Sequence, residues 1–228
     1  MMHESVVAES EVGLADRLKS ETLALHREAE RTGILADLLR GQASLADYAL
    51  LLRNLLPVYE MLEQGLDAVA TDSPASTLAR PTIYRSAALR SDLEHLIGPR
   101  VLVDLPVLPA GQRYVDAVRR AAGDDGVLLI AHAYTRYLGD LNGGQILGRL
   151  LAKRMGLAPQ GLAFYHFAGI DEPAAAALLY RSAIDAADVP ALRVRALLDE
   201  AILAFRYNVE LSQAVRQARC VVEVRPEG

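Results

Sequence analysis

Apolar residues recur every three to four positions along most of the chain, and that spacing constrains the fold to packed helices. In "LADRLKSETLALHREA" the residues Leu14, Leu18, Thr22, Leu25 and Ala29 form one such stripe. A short run from Ile34 to Leu39 ends at Gly41. The next helix opens at Ser44 with Asp47 at its third position, a capping-box start, and Pro57 inside it predicts a bend. Residues 71–82, rich in Ser, Thr and Pro, read as a loop. Further helices are predicted over about 84–97, 111–122, 126–155, 174–187 and 191–218. Their breakers are Gly98-Pro99, Pro106 and Pro109, "GDDG" at 123–126, "APQG" at 158–161 and Pro190. No repeat and no long linker divides this pattern, so the expectation is a single all-α domain over 13–218, with a flexible N-terminus (1–12) and a tail (219–228).

Composition narrows the function classes. A net charge of −5 argues against a dedicated nucleic-acid binder, which is normally basic. The single cysteine, Cys220, excludes an internal disulfide and any cysteine-rich metal site. The N-terminus has no basic region followed by an apolar stretch, and nowhere do eighteen apolar residues run uninterrupted. The expected protein is soluble and cytoplasmic, without a membrane anchor.

Chemistry must then rest on His, Asp, Glu, Arg and Tyr. Of the five histidines, His3 lies in the N-terminal segment, His95 near a helix end, and His166 in the aromatic run "FYHF", where a packed side chain is expected. His26 borders the apolar stripe of its helix, with Glu30 one turn on. That spacing suits a metal-binding histidine whose second nitrogen is held by a carboxylate, and equally a surface His–Glu pair. His132, on the most apolar helix, reads as a hydrogen-bonded core residue.

The stretch "YLGDLNGGQILG" (137–148) breaks the rule that core helices avoid glycine. Gly139 and Gly143 are one turn apart, as are Gly144 and Gly148, and each glycine costs a helix interior about 0.5–1 kcal/mol relative to alanine. Bare turns let a flat or bulky group approach the backbone and permit a kink. Tight helix packing is the alternative, but it gives no reason for Asp140 among the glycines, since a buried carboxylate is costly unless bonded or used.

"AHAYTRYLGDLNGGQ" (131–145) closely resembles the signature of the biliverdin-producing heme oxygenases, and "LKSETLALHREAE" (18–30) resembles that family's proximal-histidine segment. The stretches "YRSAALRSDL" (84–93), "AGQRYVDAV" (110–118), "GLAFYHF" (161–167), "LYRS" (179–182) and "AFRYNVEL" (204–211) extend the similarity over about 14–212. The resemblance implies a heme oxygenase-like helical bundle with heme b held between a proximal and a kinked distal helix. His26 would be the axial iron ligand, backed by Glu30. Gly139, Gly143 and Gly144 would bring the distal backbone against the porphyrin. Asp140, with Arg136 and Tyr59, would organise the waters that deliver a proton for hydroxylation of a meso carbon of the heme itself. Heme is thus both substrate and prosthetic group, O2 the co-substrate, and the products biliverdin, carbon monoxide and ferrous iron. Electrons would come from an external reductase of ferredoxin or flavoprotein type. Lys19, Arg181 and Tyr134 match propionate contacts, and Phe205 and Asn208 match pocket-lining positions.

Several positions depart from the family pattern. Leu23 and Ala177 stand where relatives carry further basic residues, which thins the propionate clamp; cleavage at the α carbon is the expectation. Asn142 replaces a common serine. Arg27, Arg119, Arg149, Lys153 and Arg154 would form either a docking face for an acidic electron donor or an ordinary solvated surface. A heme carrier or sensor is the competing function, and Asp140 speaks against it. A thiaminase-like activity on the same fold would require a pocket cysteine, and Cys220 is placed beyond the last predicted helix.

Overall fold

A computed structural model describes residues 12–123 and 125–222, with side chains described through 218. Among them every regular element is helical. The α-helices are α1 (Leu14–Ala29), α2 (Gly33–Arg40), α3 (Leu45–Ala68), α4 (Ser86–Ile97), α5 (Val101–Asp104), α6 (Pro109–Ala121), α7 (Leu129–Ala133), α8 (Gln145–Met155), α9 (Pro173–Asp185) and α10 (Ala191–Val222).

Local chemistry sets several of these boundaries. The Ser44 hydroxyl accepts the Asp47 N–H at 3.2 Å while Asp47 Oδ2 accepts the Ser44 N–H at 2.7 Å, completing the capping box of α3. Helix α3 then continues through Pro57. Gly41 closes α2 in the left-handed conformation (φ 72°), which a side chain would disfavour. Pro109 opens α6, where a missing N–H costs nothing.

Helices α3 and α10 form the frame. Helix α3 packs on α4 and α6, and α10 lies along α1, α2, α6 and α7. The apolar stripe of α1 turns inward as its spacing requires: Leu18, Thr22 and Ala29 are buried. Leu18 joins a core containing Tyr48, Leu52, Leu56, Tyr59, Leu62, Leu129, Ile130, Leu197 and Leu211.

Several expectations need correction. The predicted 126–155 helix starts at Leu129 and is not regular: between α7 and α8 it passes through two π turns, Tyr134–Leu138 and Asp140–Gly144. The 71–82 loop holds 3-10 turns at Ser76–Leu78 and Pro81–Ile83, and α5 lies in a segment left without a helix. Helix α10 runs to Val222, so Cys220 lies within the last helix rather than beyond it. His166 is exposed, because the 3-10 turn Ala163–Tyr165 ends in extended backbone and turns Phe164, Tyr165 and Phe167 inward instead. His3 lies outside the described residues.

Candidate functional site

The π-turn segment divides its residues between two surfaces. Alanine-like methyls built on Gly139 and Gly143 would meet nothing within 4 Å, so the backbone there borders open space. On the other surface, a methyl on Gly144 would lie 3.4 Å from Tyr165 Cδ1, and one on Gly148 would lie 2.9 Å from Tyr165 Cβ. The four glycines thus do two jobs. Gly144, expected in the cofactor-binding set, points its bare side at Tyr165 together with Gly148.

Asp140 points into the protein and is buried. The buried Tyr59 hydroxyl donates a hydrogen bond to Asp140 Oδ2. Arg136 Nε donates to the Tyr59 oxygen at 2.9 Å, and Arg136 Nη1 to Asn208 Oδ1 at 2.7 Å. Arg136 Nη2 lies 3.7 Å from Asp140 Oδ1. Burial raises the Asp140 carboxyl above its ordinary range, against the pull of Arg136, the Tyr59 bond and Arg85. Burial likewise pushes the Tyr59 hydroxyl well up. It opposes the Arg136 charge, but Tyr59 and Asp140 outweigh it and hold the guanidinium protonated. Tyr114, beside this charge, is pushed up to about 12, chiefly by burial.

Helix α10 connects this cluster to α1. Phe205 and Asn208, three residues apart, share one face of α10. Asn208 reaches Arg136, while the Phe205 ring lies 6.0 Å from the His26 ring. The Tyr134 hydroxyl approaches the Thr22 hydroxyl one turn before His26, so α1 and the π segment meet there. His26 itself is half-exposed, at 53% for its side chain, and turns Nδ1 towards Glu30 Oε1 at 3.7 Å. That distance exceeds a hydrogen bond. Lys19 is exposed on α1, and Arg181 reaches α1 from α9 through an ion pair with Asp16.

His132, by contrast, is fully buried, with Nε2 at 2.8 Å from Glu200 Oε1, so it is the core histidine that its setting in the sequence suggested. The structure adds residues that spacing did not expose. Arg85 is buried over the Phe167 ring at 4.0 Å and donates to the His166 carbonyl at 3.0 Å. Glu63 accepts the Ser86 N–H at 3.0 Å and the Arg85 N–H. Asp92 accepts the Ala163 and Phe164 N–H groups at 2.7 and 2.8 Å. These contacts fasten the loop whose Phe164 ring stands edge-on to Tyr59 at 5.6 Å. Arg85 and Asp92 lie within "YRSAALRSDL", but nothing in its spacing marks them.

Together these elements offer a half-exposed imidazole on α1, a bare backbone at Gly139 and Gly143, and the cations Lys19 and Arg181. The profile of the heme oxygenase family matches residues 12–214. The chain belongs to the heme oxygenase family. It is 35% identical to the heme oxygenase of Takifugu rubripes over 96% of this chain and 79% of that protein. Heme oxygenase 1 of Synechocystis is 36% identical over 88% of this chain and 83% of that protein. The crystal structure of the Synechocystis heme oxygenase-1, a complex with heme, superposes with a TM-score of 0.84 at 34% identity, covering 93% of this chain and 98% of that one. As a heme oxygenase the chain is an oxidoreductase of heme degradation, built on the family's helical fold. No helix among the described residues is long and apolar enough to cross a membrane.

Proposed function

We propose that this heme oxygenase holds heme b between α1 and the π-turn segment and cleaves it with O2 to biliverdin, carbon monoxide and ferrous iron. The observation that carries this reading is the pairing of an open wall at Gly139 and Gly143 with a buried carboxylate, Asp140, on the next position of the same turn. The bound heme supplies both the oxygen-activating iron and the carbon skeleton that is oxidised.

The chain supplies position and protons. His26 would hold the iron through its imidazole, and Glu30, one turn on and 3.7 Å from Nδ1, would be the carboxylate available to that ring's other nitrogen. Gly139 and Gly143 would let the backbone lie close to the bound porphyrin, where a side chain would hold it off. Asp140 Oδ2 is occupied by the Tyr59 hydroxyl, which leaves Oδ1 with lone pairs to order water at the wall. Its raised proton affinity lets it take up and release a proton nearer to neutral pH than an exposed aspartate would. Arg136, fixed by Asn208 and Tyr59, keeps the cluster from collapsing. Lys19, Arg181 and Tyr134 receive the propionates, with the α isomer as the product. An external electron donor completes the reaction. Arg149, Lys153 and Arg154 on α8 and Arg27 on α1 are exposed cations suited to an acidic donor, whereas Arg119 is held by Asp116 on α6.

The test is turnover of hemin with a chemical reductant, following loss of the Soret band, carbon monoxide release and the bilin isomer by chromatography. Asp140→Ala should keep hemin but lose bilin formation, and His26→Ala should lose the histidine-ligated spectrum. An intact Soret band in the wild type would favour a carrier. Undiminished turnover in Asp140→Ala would remove the role given to that carboxylate.

A further inference from the structure

The clamp for the heme carboxylates is short of cations. Leu23 is exposed where another base would serve, and Ala177 is buried, so Lys19 and Arg181 carry the task at this edge of the site. An arginine side chain turns about several bonds, and a mobile guanidinium would set the rotation of the heme in its plane poorly. The structure shows what holds it. Arg181 Nη2 meets Asp16 Oδ1 at 2.5 Å, from the first turn of α1. A second carboxylate runs the opposite way: Asp185, one turn after Arg181 on α9, accepts the Ala15 N–H at 2.8 Å through Oδ1. This contact requires a bare residue at Gly13, where a methyl would lie 2.6 Å from Asp185 Oδ1. Helices α1 and α9 are therefore cross-linked by two reciprocal contacts, four residues apart on α9 and adjacent on α1.

We propose that Asp16 is a positioning residue for regiochemistry: it holds the Arg181 guanidinium at one place relative to α1, the helix that carries His26, and so sets which meso carbon is presented to oxygen. This rests on the heme-degrading reading of the site. The Asp16 bond and charge hold Arg181 firmly protonated, and Asp16 in turn is held below its ordinary range by Arg181. Asp16 takes one donor of the guanidinium fork, and the planar group offers its others to a carboxylate in a fixed direction. Asp16 also adds a negative charge beside the propionates, so it works against heme affinity while it serves orientation. A residue that merely stabilised the fold would not separate those two effects.

The experiment compares wild type, Asp16→Asn, Asp16→Glu, Arg181→Ala and the Asp16→Asn/Arg181→Ala double variant. The bilin isomer ratio is read by chromatography after turnover. The in-plane heme orientation is read without turnover, from the heme-methyl proton NMR signals of the cyanide-bound ferric complex. Asp16→Asn should raise the minor isomer and minor orientation roughly two- to fivefold, the range that an exposed ion pair supports, with hemin affinity equal or higher. Asp16→Glu should restore most of the wild-type ratio. In the Arg181→Ala background Asp16→Asn should change nothing further. An unchanged ratio in Asp16→Asn, or an equal effect with and without Arg181, overturns the proposal. If the wild type forms no bilin, the heme-degrading reading fails with it; bilin formation with an indifferent Asp16 sinks only the present inference.

Discussion

Replacing Gly139 by alanine should move stability and heme affinity in opposite directions. Gly139 has ordinary helical angles (φ −61°, ψ −47°), so alanine fits its backbone without strain. A methyl there meets nothing within 4 Å. The substitution should therefore stabilise the heme-free protein by about 0.5–1 kcal/mol, the helix-interior difference between the two residues. In a chain of this size that is a rise in melting temperature of roughly 1–4 °C. In the proposed heme complex the same methyl would stand in the wall against the porphyrin. Overpacking a close contact costs about 1–3 kcal/mol, which corresponds to a loss of hemin affinity of roughly five- to 150-fold.

Thermal melting by circular dichroism without heme, together with hemin titration in the Soret band, measures both arms. Gly148→Ala is the control, because its methyl would stand 2.9 Å from Tyr165 Cβ. It should lower the heme-free melting temperature and leave hemin affinity near wild type. A lower melting temperature for Gly139→Ala would show that its surface is packed rather than open. A higher one with unchanged hemin affinity would show that nothing approaches the backbone there.

Three further outcomes test the frame around the site. Burial outweighs two N–H bonds at Asp92 and pushes its carboxyl from 3.8 up to about 6. Between those values the folded state keeps a proton that the unfolded state has lost, so this group's contribution to stability falls as pH rises from about 4 to 6, by up to about 1.4 kcal/mol per unit. Denaturant titrations across that range should show a flatter pH profile for Asp92→Asn than for the wild type, and parallel profiles would refute the shift. Gly33→Ala combines a φ of +63° with approaches of 2.5 and 2.7 Å to the Ser212 and Gln213 backbone, and chemical denaturation should show a loss of about 2–4 kcal/mol. Ser44→Ala removes one arm of the capping box and should cost about 1 kcal/mol in the same measurement, with hemin binding untouched.

What was legible in the sequence was what local spacing encodes. The His26–Glu30 pair and the inward face of α1 follow from one-turn separations, and the capping box of α3 from three residues. Glu63, Arg85 and Asp92 escaped because their partners are distant in the chain: Asp92 bonds residues 71 and 72 positions away, and Glu63 residues 22 and 23 positions away. A buried charge of this kind is revealed by its surroundings, and no periodicity announces those. The error at His166 has a similar origin. Its aromatic neighbours suggested burial, but a 3-10 turn followed by extended backbone alternates the facing of successive residues, so the histidine went outward while both flanking aromatics went in.

The π turns also answer a question of register. His132, Arg136, Asp140, Gly144 and Gly148 recur every four residues, and all five are buried. In a regular α-helix each step of four advances about 40° beyond a full turn, so four such steps would carry the row roughly 160° around the axis. Asp140 and Gly148 would then face well apart, and the later members of the row would leave the core. A π turn closes its hydrogen bond one residue later than an α turn and so takes more residues per turn, which removes this drift. Two π turns between Tyr134 and Gly144 keep the charged row aimed at Tyr59 and α10 and let Gly144 and Gly148 seat against Tyr165. The same register leaves Gly139 and Gly143 together on open space. Glycine tolerates the irregular turn, but it is the four-residue recurrence of buried groups that demands it. The row of buried groups, not the open pair, therefore sets the register, since Gly139 and Gly143 at a spacing of four would lie only about 40° apart even in a regular helix.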